Sequence, residues 1–249
     1  MNPFLFALVL WFLLPGPASA HEPPDLTGSW ALLQVIAEHW EAPLLGERLR
    51  RVTQIARIRI DHKGQELLLW SEEVCSMVFD LGTALFHISV APEFLRDVRV
   101  GPLPAWVERA PEGFVLVVPP HLILNGVRLA HPDDPLPTEA SDPRVLDPDG
   151  DGKPGFTVRI RVLGLLSGEA YVVQRLRQEY RGRIVSADQV RGTILWQDEQ
   201  VTLGASSPFF LISGRGRPAP ERAFFVMRRI RGTESCAELV QLFAEDLGP

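Results

Sequence analysis

Lysine is almost missing from this chain: Lys63 and Lys153 are the only two among 25 basic residues, and 31 Asp and Glu leave a formal net charge of -6. A protein that grips nucleic acid neutralises phosphates with a basic face, so this balance argues against a nucleic-acid partner. Cysteine is equally scarce. Cys75 and Cys236, with no C-x-x-C pair and no Cys/His cluster, give neither zinc nor dithiol chemistry its usual spacing. Gly-x-Ser-x-Gly and His-Glu-x-x-His do not occur, and no Gly-x-Gly-x-x-Gly run follows a strand pattern. Serine hydrolase, zinc protease and dinucleotide fold are therefore not signalled. After residue 14 no stretch is apolar enough to cross a bilayer as a helix. Apolar residues, by contrast, make up 46% of the 249, which suits a packed core and excludes a disordered chain.

The one long apolar run, residues 4–14, is followed by a Pro-Gly-Pro break and then Ala18-Ser19-Ala20, the small-x-small form of a signal-peptidase site. No Lys or Arg precedes the run, which leaves the α-amino group as the positive end. Its length falls well short of the roughly 20 residues a spanning helix needs. Residues 1–20 therefore read as a signal peptide cleaved near Ala20, giving a secreted or periplasmic chain that begins at His21 and keeps no transmembrane segment. Export places Cys75 and Cys236 in an oxidising compartment, where one disulfide is the simplest state; two buried thiols are the alternative. The bridge would close a loop of about 160 residues, for which chain entropy gives on the order of 4 to 5 kcal/mol.

The remaining pattern points to strands. Residues 53–61 and 66–75 flank His62-Lys63-Gly64-Gln65 and read as a hairpin; 84–90 and 113–118 are further strands, with a helical turn at 92–98 between them. Phe156, Val158, Ile160 and Val162 alternate with Thr157, Arg159, Arg161 and Leu163, after which Ser167-Gly168 is expected to turn the chain into a strand at 170–180. Segments 183–186, 190–196, 200–204, 209–213 and 222–230 continue at short spacing, and 236–245 has helical periodicity. The expectation is an all-β fold, an antiparallel β-barrel or sandwich of about ten short strands with a short C-terminal helix. The stretch 129–154 is too rich in Pro and Asp for a strand and is expected to be a long loop inside one domain that spans 21–249. A register that pairs Ile160 with Leu176 also sets Arg161 opposite Arg175 and Arg159 opposite Arg177, four like charges that need water, carboxylates or an anion over them.

Asp147-Pro148-Asp149-Gly150-Asp151-Gly152-Lys153 closes that loop with carboxylates at positions 1, 3 and 5 and a glycine at 6. Oxygens at that spacing converge on a hard cation, Gly152 permits the bend, and Lys153 offers its backbone carbonyl, so Ca2+ is the natural occupant. The alternative is a solvated Asp-Gly turn. The stretch resembles EF-hand-like loops and, more closely, the Asp-x-Asp-x-Asp-Gly loops of thrombospondin type-3 repeats. It departs from them in having Val158 at position 12 and Gly155 at position 9, which leaves Asp142, Asp133, Asp134 and Glu169 as candidates for a further ligand.

At the start of the exported chain, Thr27-Gly28-Ser29-Trp30 resembles the Gly-x-Trp motif of lipocalin-type barrels. That resemblance implies an up-and-down barrel with Trp30 as its plug beneath Arg228, Arg229 or Arg231 and a cavity for an apolar ligand; a Trp that simply anchors the first strand is the alternative. An N-terminal His21 resembles the copper-binding histidine of lytic polysaccharide monooxygenases, although His39, His62, His87, His121 and His131 each stand alone in sequence. Taken whole, with Tyr171-Val172-Val173-Gln174-Arg175, the chain resembles β-rich secreted proteins of Gram-negative bacteria that carry such a calcium loop, a resemblance that implies no activity. The leading expectation is a non-catalytic exported calcium-binding barrel that holds a small or apolar ligand or a partner protein. An extracellular hydrolase acting on envelope glycans or lipids through paired carboxyls is the alternative.

Overall fold

The computed structural model describes residues 22–42, 46–64, 66–211 and 215–247, so the expected signal peptide at 1–20 and the copper candidate His21 lie outside the described residues. Among the described residues, eleven strands and three short α-helices follow in chain order: β1 (Gly28–Ala42), β2 (Gly46–Lys63), β3 (Glu66–Asp80), β4 (Phe86–Val90), α1 (Pro92–Asp97), β5 (Leu103–Ala110), β6 (Gly113–Asn125), β7 (Phe156–Val162), β8 (Leu166–Ser186), β9 (Gln189–Ala205), β10 (Arg215–Pro218), β11 (Phe224–Arg229), α2 (Cys236–Leu242) and α3 (Ala244–Leu247). The fold is all-β, and every pairing between these strands is antiparallel.

Eight strands form a cycle. β1 pairs β2, β2 pairs β3, β3 pairs β5, β5 pairs β6, β6 pairs β8, β8 pairs β9, β9 pairs β11, and β11 returns to β1. A cycle of this kind is a barrel, and it satisfies backbone groups that an open sheet leaves at its edges. Its closure is uneven. β1 and β2 stay in register from Gly28↔Ile60 to Ala42↔Gly46, whereas β3 meets β5 only from Leu67 to Leu69 and β11 meets β9 only from Phe225 to Arg228. Beyond the first of these short seams β3 turns to β4, β4 to β7 and β7 back to β8, so β4 and β7 take the place of β5 and β6 along that part of the wall.

Strand length differs from the sequence reading. Segments 170–180 and 183–186 are one strand, β8, and 190–196 and 200–204 are one strand, β9. Polar residues on the inward face, among them Gln174, Gln178 and Asp198, break the apolar alternation without ending the strand. At 209–213 the described part is a single helical turn, Pro208–Phe210. The reversal after β7 falls at residues 163–165, where Leu163 and Gly164 take positive φ of 52 and 69°, rather than at Ser167-Gly168. Arg159 consequently sits opposite Glu169 and Arg161 opposite Ser167, and the expected four-arginine face does not form.

The other two arginines of that expected face hold the long loop. Residues 126–155 leave β6 and return to β7, both of which pair β8. Arg175, on the outer face of β8, is buried; it donates to the carbonyls of Pro132 at 2.8 Å and Asp134 at 2.7 Å and pairs with Glu199, while Arg177 pairs with Asp133. Val127 and Leu136 pack beside Val173 on the same face. At the loop's end Gly155 has φ +79° and a Cβ there would lie 2.2 Å from the Val172 carbonyl, so no larger residue fits this crossing.

One end of the barrel is filled by Leu26, Trp30, Ile58, Ile60, Val190 and Phe225. On the outside, α2 lays Leu239 and, just beyond its end, Phe243 against Ala31, Leu33, Val35, Ile55 and Val226. Ser235 and Glu238 cap α2 reciprocally, which satisfies two of its free amides. Its first residue, Cys236, is disulfide-bonded to Cys75 on β3.

Candidate functional site

Inward side chains of the strands enclose a cavity of about 1090 Å3. Leu32, Ile58, Leu116, Val118 and Met227 line it toward the filled end, and Met77, Phe79, Ile88, Phe94, Phe156 and Val158 line it on the side of β4 and β7. Pockets of this size, mostly apolar with a few convergent polar groups, are those that take small molecules.

The polar groups come in two layers. In the first, Arg50 of β2 pairs with Glu38 of β1, and the same guanidinium nitrogen lies 3.9 Å from Asp198 of β9. Asp198 also accepts from Gln174 Nε2 at 2.9 Å and Gln200 Nε2 at 2.7 Å. Burial raises the Glu38 and Asp198 carboxyls above the usual range, and the Arg50 charge opposes that rise in both. With Glu41, three carboxyls and one arginine line the cavity among the described residues.

Arg50→Met should therefore be costly. It strands two partly buried carboxyls and is expected to destabilise the fold by about 1–3 kcal/mol at neutral pH, less on acidification. The sign follows from proton linkage: a carboxyl whose folded pKa lies above its unfolded one is stabilised by protonation, so its contribution is full at low pH and declines as pH climbs from about 4 toward the folded value. Urea denaturation of both proteins at acid and neutral pH checks this, and a deficit that does not shrink in acid would count against it.

The second layer is Gln34 of β1, Tyr180 and Gln178 of β8, and His121 of β6. The Tyr180 hydroxyl lies 2.7 Å from Gln34 Oε1 and 2.9 Å from Gln178 Oε1. A phenol has one proton to donate, so one of these amides must turn its NH2 to the phenol oxygen, and the pair offers the cavity one N–H donor and one carbonyl acceptor. Burial pushes the Tyr180 phenol up and the His121 imidazole down, which keeps both neutral. The His121 ring stacks on Tyr180 with centroids 5.7 Å apart.

The acidic loop lies outside the barrel, against the start of β7. Asp147 accepts from the backbone of Gly150, Asp151 and Gly152, and Gly152 has φ +79°. Asp149 accepts from Thr157 N at 2.9 Å and Asp151 from Thr157 Oγ1 at 2.6 Å, so two carboxylates are tied to β7. One oxygen of each of Asp147, Asp149 and Asp151 lies within 4.8 Å of the others. Asp149 is buried, its Oδ1 has no hydrogen-bond partner, and burial, aided by the Asp151 charge, raises its pKa against the pull of the Thr157 amide. A donor set of oxygens with one of them buried and unpaired fits a hard divalent cation. The candidates for a further ligand are engaged elsewhere: Asp142 with Arg144, Asp133 with Arg177, Asp134 with the His131 amide and Glu169 with Tyr171. The Lys153 side chain lies over the Tyr171 ring.

Trp30 is fully buried, donates from Nε1 to the Leu26 carbonyl at 2.8 Å and lies under Arg229, whose guanidinium carbon is 4.5 Å from the ring centroid. Glu38, Arg50, Gln178, His121 and Asp198 carried no sequence motif. Their one signal was polarity at positions that face inward once the register is known. Comparison of the chain with protein-family models, with curated proteins and with solved structures returned no match.

Proposed function

We propose that this chain is an exported, calcium-braced β-barrel protein that holds a small amphiphilic or apolar ligand in its cavity and does no chemistry on it. The observation that carries this reading is the cavity of about 1090 Å3, lined mostly by apolar side chains with two layers of polar groups among them. The export signal in residues 1–20 and the Cys75–Cys236 disulfide support the compartment. A titration with the fluorescent probe N-phenyl-1-naphthylamine should give a saturable one-to-one rise, and Ile36→Trp, which fills the cavity from β1, should weaken it on the order of tenfold. Probe binding that ignores Ile36→Trp would place the site elsewhere.

Calcium would be held by the side chains of Asp147, Asp149 and Asp151 and the carbonyl of Lys153, with water completing the shell. Through Thr157 the ion would fix the point where the long loop becomes β7. Added calcium is expected to raise the melting temperature by several degrees over a chelated sample, and Asp149→Ala should abolish that difference. Equal melting of the wild-type protein in calcium and in chelator would remove the ion from the account.

The hydrolase alternative has one observation in its favour, since Glu38 and Asp198 are two carboxyls with raised pKa in one cavity. Both lie against one Arg50 nitrogen and Asp198 is held by two glutamine amides, an arrangement that fixes carboxylates in place. Turnover of glycoside or ester substrates that vanishes in both Glu38→Gln and Asp198→Asn would favour this alternative.

A further inference from the structure

The cavity wall contains a place where two polar side chains are left incomplete side by side. His121 and Gln178 are register partners on β6 and β8, directly after the irregularity that Pro119 and Pro120 introduce into β6, and both line the cavity. Gln178 is 3% exposed. Its Oε1 lies against the Tyr180 hydroxyl, so with Gln34 as the amide that turns its NH2 to the phenol oxygen, Gln178 Nε2 is the free donor, and it is buried without a partner. His121 Nδ1 lies 3.1 Å from the Pro119 carbonyl, which can only accept, so that nitrogen carries the proton. In the neutral ring Nε2 is then a bare acceptor, and it too is buried without a partner. A lone-pair acceptor next to an N–H donor is half of a two-point hydrogen-bonding contact. Leaving either group unpaired in an apolar wall is costly.

We propose that His121 and Gln178 form the head-group subsite of the cavity and that it takes a neutral group able both to donate and to accept, a primary alcohol or primary carboxamide at the end of a hydrocarbon chain. The inference rests on the ligand-binding reading above and narrows it to a chemical class. An ionised carboxylate fits poorly for two reasons. It has no proton for His121 Nε2, and it enters a cavity whose described lining carries Glu38, Glu41 and Asp198 against Arg50. An ether or methyl ester accepts from Gln178 but leaves His121 unpaired. Leu176, Ile123 and Trp196 line the same cavity, Leu176 and Ile123 one inward step along β8 and β6 and Trp196 paired with Gln178 on β9, which gives the chain an apolar start.

The test uses the whole exported chain and displacement of N-phenyl-1-naphthylamine by four compounds of equal chain length: dodecanol, dodecanamide, methyl dodecyl ether and dodecanoate. The alcohol and the amide should displace the probe at concentrations on the order of tenfold lower than the ether or the carboxylate. His121→Phe keeps the ring over Tyr180 but removes the acceptor, and should bring the alcohol down to the ether while leaving the ether unchanged; Gln178→Met removes the donor that both compounds use and should weaken alcohol and ether alike. If all four compounds displace the probe equally, if dodecanoate is preferred, or if the alcohol's advantage over the ether survives His121→Phe, the subsite assignment is overturned while the cavity reading stands. If neither the probe nor any of the four compounds binds, both fall together.

Discussion

Replacing both Cys75 and Cys236 with alanine is expected to cost roughly 4–5 kcal/mol, the largest loss from any pair of small side chains in this protein. The bridge links residues 161 apart, so nearly two thirds of the sequence lies inside the loop it closes. In the chain-entropy account that loss falls on the unfolded state, which expands when the cross-link is removed. The folded state has reasons to stay as it is. Leu239 and Phe243 remain fully buried against β1, β2 and β11, and Arg228 still donates to the Leu242 carbonyl at 2.7 Å and pairs with Asp246. The double variant should therefore show a lower urea midpoint together with a steeper denaturant dependence, because more surface is exposed on unfolding. Hydrogen exchange of α2 amides separates the two possible sites of action: protection that drops only in step with global stability places the effect in the unfolded chain. Selective loss of α2 protection would show that the bond instead holds the helix in place.

The disulfide was legible because only two cysteines were available to pair. The strand at residues 156–162 was legible because Phe156, Val158, Ile160 and Val162 alternate without interruption, and the acidic loop because its three carboxylates lie within five residues of one another. The cavity was hidden for a physical reason. A barrel interior accommodates polar residues at inward positions, so Gln34, Glu38, Gln174, Gln178 and Asp198 resemble the solvent face of a half-buried strand. Alternation fixes the period of a strand and leaves its register open, and a shift in register moves every cross-strand pair. That is how Arg175, whose spacing suggested a solvated charge, is in fact a buried anchor for the loop at Pro132 and Asp134. Glu38 and Arg50 are register partners on neighbouring β1 and β2, but Asp198 comes from β9, which pairs with neither, and no local pattern foreshadows its arrival.

Trp30→Ala is expected to be the most damaging single substitution, at about 3–5 kcal/mol. For a domain of this size that corresponds to a fall in melting temperature on the order of 10 °C or more. The ring is fully buried among Leu26, Ile58, Ile60 and Phe225, where the strands crowd together and little can move to fill the space it leaves. Above it, Arg229 donates to the carbonyls of Asp25, Thr27 and Ala187, so one guanidinium ties the segment before β1 and the β8–β9 turn to the last strand. Arg229→Ala should therefore destabilise in its own right. In a double-mutant cycle with Trp30→Phe the two should couple by about 0.5–2 kcal/mol, the range of a desolvated cation–π contact. Trp30 does not line the cavity, whereas its inward neighbour Leu32 does. Under conditions where Trp30→Ala remains folded, its affinity for N-phenyl-1-naphthylamine should match the wild type, while Leu32→Ala should alter affinity with a smaller change in melting. Affinity lost in Trp30→Ala at unchanged folded fraction would mean that the filled end of the barrel is part of the ligand site and does more than close it.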